Sequence, residues 1–114
     1  KDDVPIEYLA HIKDGDDAYW KYFDFNQKIA KRFTCKLWGP NQAAAIEIHL
    51  DKPDGPLIGK MDLAAMDGET AYSIHHTAVK NVTGTHAVVL VFKAGSTADS
   101  KQDLLNLEWF EFEQ

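Results

Sequence analysis

Residues 44–64 read AAIEIHL, then DKPDGP, then LIGKMDLA. Apolar and polar residues alternate, a Pro-Asp-Gly corner interrupts them, and a second alternating run follows. A period of two sends successive side chains to opposite faces, as a half-buried antiparallel strand requires. Eight such runs, about 6–12, 18–25, 29–38, 44–50, 57–64, 70–79, 86–93 and 104–113, are each bounded by turn residues. Asp14-Gly15, Asp54-Gly55, Asp67-Gly68 and Thr83-Gly84 supply corners. No run of twelve or more residues keeps a helical apolar stripe, and 97–104 has room for one helical turn at most. The pattern predicts an all-β antiparallel sandwich.

Within 29–38, Ile29, Lys31, Phe33, Cys35 and Leu37 share one face, while Ala30, Arg32, Thr34, Lys36 and Trp38 share the other. The unbroken apolar run Ala87–Phe92 fits a strand covered on both sides. Two runs change phase. Ala18, Trp20 and Tyr22 give way to Phe23 and Phe25, and Leu105, Leu107 and Trp109 give way to Phe110 and Phe112. Phase slips of this kind predict β-bulges.

The 114 residues make one domain with a single core. Charge weighs against several classes of partner. The formal net charge is -6 and the twelve basic residues are dispersed, so neither nucleic acid nor a membrane surface is an expected partner. A neutral partner suits this surface better. The single Cys35 excludes an intrachain disulfide and leaves the compartment open.

Candidate chemistry is sparse. His75 and His76 are strand neighbours, so they point to opposite faces and cannot easily chelate one ion; one packed and one surface histidine is the expectation. The Asp14–Asp17 acidic turn lacks the ligand ladder of an EF-hand, because its twelfth position is Phe25. Cys35 lies between Phe33 and Leu37 on the apolar face and reads as a buried small side chain. Asn81-Val82-Thr83 fits a glycosylation sequon but reads as turn chemistry. No nucleophile elbow or phosphate loop occurs. The domain is therefore not expected to be an enzyme. Most of the aromatic residues belong to core runs. Trp38 stands apart on a polar face, where a ring can stack on a sugar or pack beneath a loop.

The stretch AAAIEIHLDKPDGPLIGKMDL resembles the middle of a family 6 carbohydrate-binding module, where a strand reading like IEIRLD leads into GPLIG. The likeness continues through VTGTHAVVLVFKAG and the closing LLNLEWFEF. Upstream, HIKDGDDAYWKYFDF resembles the family's Gly-Asp strand. The IKDGD and YFDF forms look most like modules carried by xylosidase or arabinofuranosidase domains. The resemblance implies a non-catalytic β-sandwich jelly roll, galactose-binding-domain-like. It would be attached to a glycoside hydrolase of bacterial origin, secreted to the periplasm or beyond the cell, and would bind xylan- or arabinoxylan-type plant cell-wall polysaccharide. Family members bind glycans at a loop-end cleft, at a concave sheet face, or at both.

Carried over residue by residue, the resemblance gives Asn106 the role of the asparagine that bonds sugar hydroxyls. His11 and Glu69 fall where the family carries its two stacking rings, and Tyr72 falls at the nearby core aromatic. Trp38 is a candidate platform on a sheet face. His11 can still stack and Glu69 can accept hydroxyl hydrogens, which implies a cleft of altered chemistry. Many members hold a structural calcium; here Glu108 stands where the family usually has Asp, and no bound metal or other cofactor is expected. The family's first strand should precede Lys1, so residues 1–114 are expected to be a domain that lacks it, cut from a larger glycoside hydrolase. The competing expectation is an accessory domain that packs on its catalytic neighbour and binds no sugar.

Overall fold

The computed structural model describes residues 9–12, 15–25, 31–38, 43–64, 72–94 and 105–113; for residues 9–12, 21, 22 and 72 it describes the backbone alone. Eight strands follow one another: β1 (Leu9–Ile12), β2 (Asp17–Asp24), β3 (Arg32–Trp38), β4 (Ala44–Leu50), β5 (Leu57–Leu63), β6 (Tyr72–Ala78), β7 (Thr85–Ala94) and β8 (Leu105–Glu113). Each of the eight alternating runs forms one of them. The segment expected to allow a helical turn, 97–104, lies outside the described residues.

The strands form two four-stranded sheets, a front sheet in the order β1-β8-β3-β6 and a back sheet in the order β2-β7-β4-β5. Every pairing is antiparallel. Successive strands thus tend to leave one sheet and enter the other, which is the jelly-roll arrangement of a β-sandwich.

Alternation decides what each sheet buries. From β3, Phe33, Cys35 and Leu37 point inward and are fully buried. They meet Ile46, Ile48, Val88, Leu90 and Phe92 of the back sheet in one core. Burial lifts the Cys35 thiol to about 12, because an apolar interior disfavours the thiolate. Central strand β7 is buried on both faces from Ala87 to Phe92, as its unbroken apolar run predicts.

Both expected bulges are present. The β2–β7 register shifts between Trp20 and Phe23, which turns Phe23 and Phe25 toward the core. The β3–β8 register shifts so that Leu37 faces Leu107 while Lys36 faces Trp109. The extra residue is Glu108, so Trp109 leaves the inward set one step earlier than the sequence pattern alone suggests. Phe110 and Phe112 then return inward. Phe110 lies 4.8 Å edge-on from Trp20, 6.1 Å from Phe23 and 5.3 Å from Phe33, ring centre to ring centre, so one side chain ties both sheets together.

The β4–β5 connection shows how local chemistry fixes a corner. Asp51 adopts a positive φ of 73°, uncommon for a residue with a side chain. Its backbone N–H donates to the Ala87 carbonyl at 2.9 Å, and its carboxylate accepts from the Ala87 N–H at 3.3 Å. Gly55 follows because no Cβ fits: it would collide with the Leu50 carbonyl oxygen. At Gly59, a Cβ would come within 2.9 Å of a Val79 methyl and 3.0 Å of the Ala78 carbonyl oxygen, so β5 and the end of β6 can approach closely there.

Candidate functional site

The strand ends of the front sheet gather most of the sequence-derived candidates. Trp38 is the last residue of β3, and the ladder sets it opposite Asn106 on one side and Tyr72 on the other. On β1, Ala10 and His11 occupy the irregular step between the Leu9–Leu107 and Ile12–Leu105 pairs, which brings them alongside Asn106. Four candidates from four different strands therefore share one row. Glu69 lies outside the described residues, between Ala64 and Tyr72.

Directly paired residues of an antiparallel ladder project to the same face. Trp38 follows Thr34 and Lys36 on the outer face, and both Trp38 and Asn106 are half-buried. An indole beside an amide suits a sugar: the ring covers the apolar C–H face, and the amide can both donate to and accept from hydroxyls. The sequence assigned Trp38 to a sheet face and Asn106 to a loop-end cleft. Register makes them neighbours.

One concavity was not foreseen. On the outer face of the back sheet, a groove of about 370 Å³ is floored by Ala43 and Ala45 and walled by Glu47, Lys60, Asp62 and Lys93. The ladder places Ala45 between Asp62 and Lys93, and Glu47 opposite Lys60. Small residues on β4 lower the floor while longer neighbours rise on both sides. The available signal was the alanine run followed by Glu47 at outward parity, but Lys93 joins only through the β4–β7 pairing. Glu47 is the most constrained wall residue: one carboxylate oxygen lies 2.9 Å from His49 Nε2 and the other 3.8 Å from Lys93 Nζ. The hydrogen bond from His49, helped by the lysine charges, holds this carboxyl below the usual range against the opposing effect of burial. It stays ionised as an acceptor.

The remaining histidines are accounted for locally. His76 is exposed, with Nδ1 3.1 Å from Thr34 Oγ1, while half-buried His75 lies 2.9 Å from Ser73 Oγ. Burial, then the nearby His76, lowers the His75 pKa. His86 contacts the Asp51 carboxylate at 3.0 Å and the carbonyl of the sequon residue Thr83 at 2.9 Å. Glu108 pairs with Lys36 at 3.9 Å. Among the described residues, no three His, Cys, Asp or Glu side chains converge to hold a metal ion.

The chain is a jelly-roll β-sandwich with a tryptophan and an asparagine paired at its strand ends and a charged groove on its back sheet. Comparison with known proteins makes the assignment specific. The sequence profile described as carbohydrate binding module (family 6) matches residues 6–114, and the chain belongs to that family. An arabinoxylan arabinofuranohydrolase of Paenibacillus polymyxa is 32% identical over 110 residues, covering 95% of this chain and 16% of that protein. One of Bacillus subtilis is 28% identical over 97% of this chain and 21% of its own length. The chain thus spans about a fifth or less of these relatives.

Among solved structures, a family 6 module from Clostridium cellulolyticum in complex with xylose matches with a TM-score of 0.79 at 32% identity, covering 92% of this chain and 77% of that one. A Bacillus subtilis family 43 arabinoxylan arabinofuranohydrolase in complex with cellotetraose matches with a TM-score of 0.80 at 28% identity, covering 94% of this chain and 21% of that one. The family is non-catalytic, and the enzymatic names of the relatives belong to separate catalytic domains.

Proposed function

We propose that this module holds a secreted bacterial glycoside hydrolase on neutral plant cell-wall polysaccharide of the xylan or arabinoxylan type. Residues 1–114 would then be one domain of a longer enzyme. The observation that carries the reading is the pairing of Trp38 with Asn106 on adjacent strands, with Tyr72 and His11 in the same row. The resemblance also gives Glu69 a part in holding the sugar. The back-sheet groove offers a second place for a chain, its charged walls supplying hydrogen-bond donors and acceptors to hydroxyls. The xylose-bound relative at 32% identity supports the choice of sugar.

Tethering works by effective concentration rather than by tight intrinsic binding. Millimolar affinity corresponds to only about 4 kcal/mol. A stacked ring contributes about 0.5–1.5 kcal/mol beyond area burial, so W38A should weaken loop-end binding roughly two- to twelvefold. A two-dimensional NMR titration with xylo- and arabinoxylo-oligosaccharides tests the proposal. Saturable shifts at Asn106 and the Trp38 indole, weakened in W38A and N106A, are expected. Silence over the whole domain at tens of millimolar sugar overturns it.

The second reading is an accessory domain that packs on its catalytic neighbour and binds no sugar. Ile74 favours it: this large apolar side chain on the front sheet is 54% exposed and lies in the ladder row of Lys36 and Trp109.

A further inference from the structure

Three segments meet at His86, at the end of the sandwich opposite the Trp38–Asn106 row. In the β2–β7 ladder His86 faces Phe23, and its half-buried ring lies 6.3 Å from that of Phe25, centre to centre. Its Nδ1 lies 3.0 Å from an Asp51 carboxylate oxygen in the β4–β5 connection. Its Nε2 lies 2.9 Å from the Thr83 carbonyl oxygen in the β6–β7 connection. Both oxygens are acceptors, so both ring nitrogens must donate. A neutral imidazole carries one N–H and the imidazolium two. The ring that makes both contacts is therefore charged.

The two partners are held unequally. Asp51 is tied to β7 independently of the ring: its N–H donates to the Ala87 carbonyl at 2.9 Å, and its carboxylate accepts from the Ala87 N–H at 3.3 Å. A hydrogen bond to a charged acceptor is also the stronger kind. A ring that loses one proton therefore keeps Nδ1–H on the carboxylate. Its Nε2 lone pair then faces the Thr83 carbonyl oxygen, and two acceptors repel. Thr83 is exposed, and Gly84 follows it with a positive φ of 89°. A Cβ on Gly84 would lie 3.5 Å from His86 Nε2, so this turn is seated against the ring. The Gly84 carbonyl in turn accepts the Phe25 N–H at 2.9 Å. Buried Val82 and Ala87 bound the segment that can move. Among the described residues, the charged side chain in contact with the ring is Asp51. Phe23 and Phe25 bring no charge from β2, and Asp24 between them has the opposite strand parity, paired with Thr85. Lys52 and Asp54 belong to the Asp51 turn, and Lys80 opens the β6–β7 connection.

We infer that His86 is a pH-sensitive latch on the β6–β7 turn: its imidazolium clamps the Thr83 carbonyl, and loss of the Nε2 proton releases Thr83 and Gly84 while the Asp51 contact stays closed. The Asp51 hydrogen bond raises the histidine above its ordinary value near 6.5, so the latch is closed in mild acid and opens as pH rises through the folded value. Because Gly84 is the acceptor for Phe25, opening also loosens the end of β2 from the start of β7. The Trp38–Asn106 end takes no part, and the latch operates whatever the module binds.

The test is NMR spectroscopy of the unaltered domain from about pH 5 to about pH 9. Two-bond proton–nitrogen correlations of the ring should show both nitrogens protonated in acid and Nδ1 alone protonated at the alkaline end. The Thr83 carbonyl carbon and the Gly84 and Phe25 amides should follow the same titration curve. The Gly84 order parameter should fall from about 0.85, the value of rigid backbone, by roughly 0.1 or more. Asn106 and Trp38 should not follow that curve. In H86A the Gly84 amide should be as mobile in acid as it is at the alkaline end of the unaltered domain, with thermal unfolding checking that the fold is kept. The measurements on the unaltered domain need no variant at all. A neutral ring protonated on Nε2 overturns the inference, because Thr83 would then stay held. So does a Gly84 order parameter equal at the two ends of the titration, or a Gly84 in H86A as rigid as in the unaltered domain in acid.

Discussion

Phe110 is the side chain whose loss should be felt most widely. It is 3% exposed and makes ring contacts with Trp20 and Phe23 of the back sheet and with Phe33 and Phe112 of the front sheet. Truncation to alanine removes the transfer free energy of the ring and leaves a cavity walled by other rings, which cannot easily collapse into it. Phenylalanine-to-alanine changes in such cores cost about 3–5 kcal/mol. For 114 residues, an unfolding entropy of roughly 2.1 cal/mol/K per residue means that each kcal/mol lowers Tm by about 4 °C. F110A should therefore lower Tm by roughly 12–20 °C. F110L keeps most of the apolar volume and loses chiefly the ring–ring geometry, worth about 0.5–1.5 kcal/mol, so its fall should be only a few degrees. Calorimetry on both variants, with urea unfolding as a check on two-state behaviour, gives the comparison. A loss under about 2 kcal/mol for F110A, or equal losses for the two variants, would refute the view that one ring ties the sheets together.

Two further outcomes follow from the ionisable groups. His86 is raised above its ordinary pKa, chiefly by the hydrogen bond to Asp51; burial opposes this, and the Thr83 carbonyl and the Asp51 charge add lesser help. A raised folded value gives stability that is complete below about pH 6.5, the unfolded histidine value, and is lost as pH rises through the folded value. Asp51 is half exposed, so the contribution is below about 1 kcal/mol. D51N tolerates the positive φ while removing the charge; NMR titration should then show His86 moving toward its ordinary value, and an unchanged titration would refute the pairing. Cys35 is fully buried, with its thiol near 12, so native protein at pH 8 should resist a thiol reagent until it is unfolded. Reaction at the rate of a free thiol would show that the core opens far more readily than its packing implies.

Strands and bulges were legible because both are local. Phe33, Cys35 and Leu37 announce their face by spacing alone, and Phe23 and Phe25 announce the bulge in β2 by breaking it. Trp109 was harder to place, since an alternation break marks a bulge only to within a residue or two; register puts the extra residue at Glu108. The site was legible in part. The resemblance supplied Asn106, His11 and Tyr72, but that Trp38 neighbours Asn106 depends on the pairing of β3 with β8, and no local pattern encodes which strands become partners. The groove escaped notice for the same reason. Glu47 and Lys93 meet only because β4 and β7 are adjacent, and alanines that look unremarkable in the sequence become a floor once their neighbours are taller.

The order of strands in the front sheet has a consequence for how the chain reaches this state. Among the described strands, β8 lies between β1 and β3, so β1 meets β8 only once the chain has been made through Glu113. At roughly 5–20 residues per second of synthesis, β1 waits on the order of ten seconds for it. Among the described strands, only the β4–β5 pair closes between consecutive strands. During that wait the exposed edges of β1 and β3 offer unpaired backbone to any other nascent chain. Refolding of the finished chain escapes the wait but not the topology, and such nonlocal pairings place it in the millisecond-to-second range.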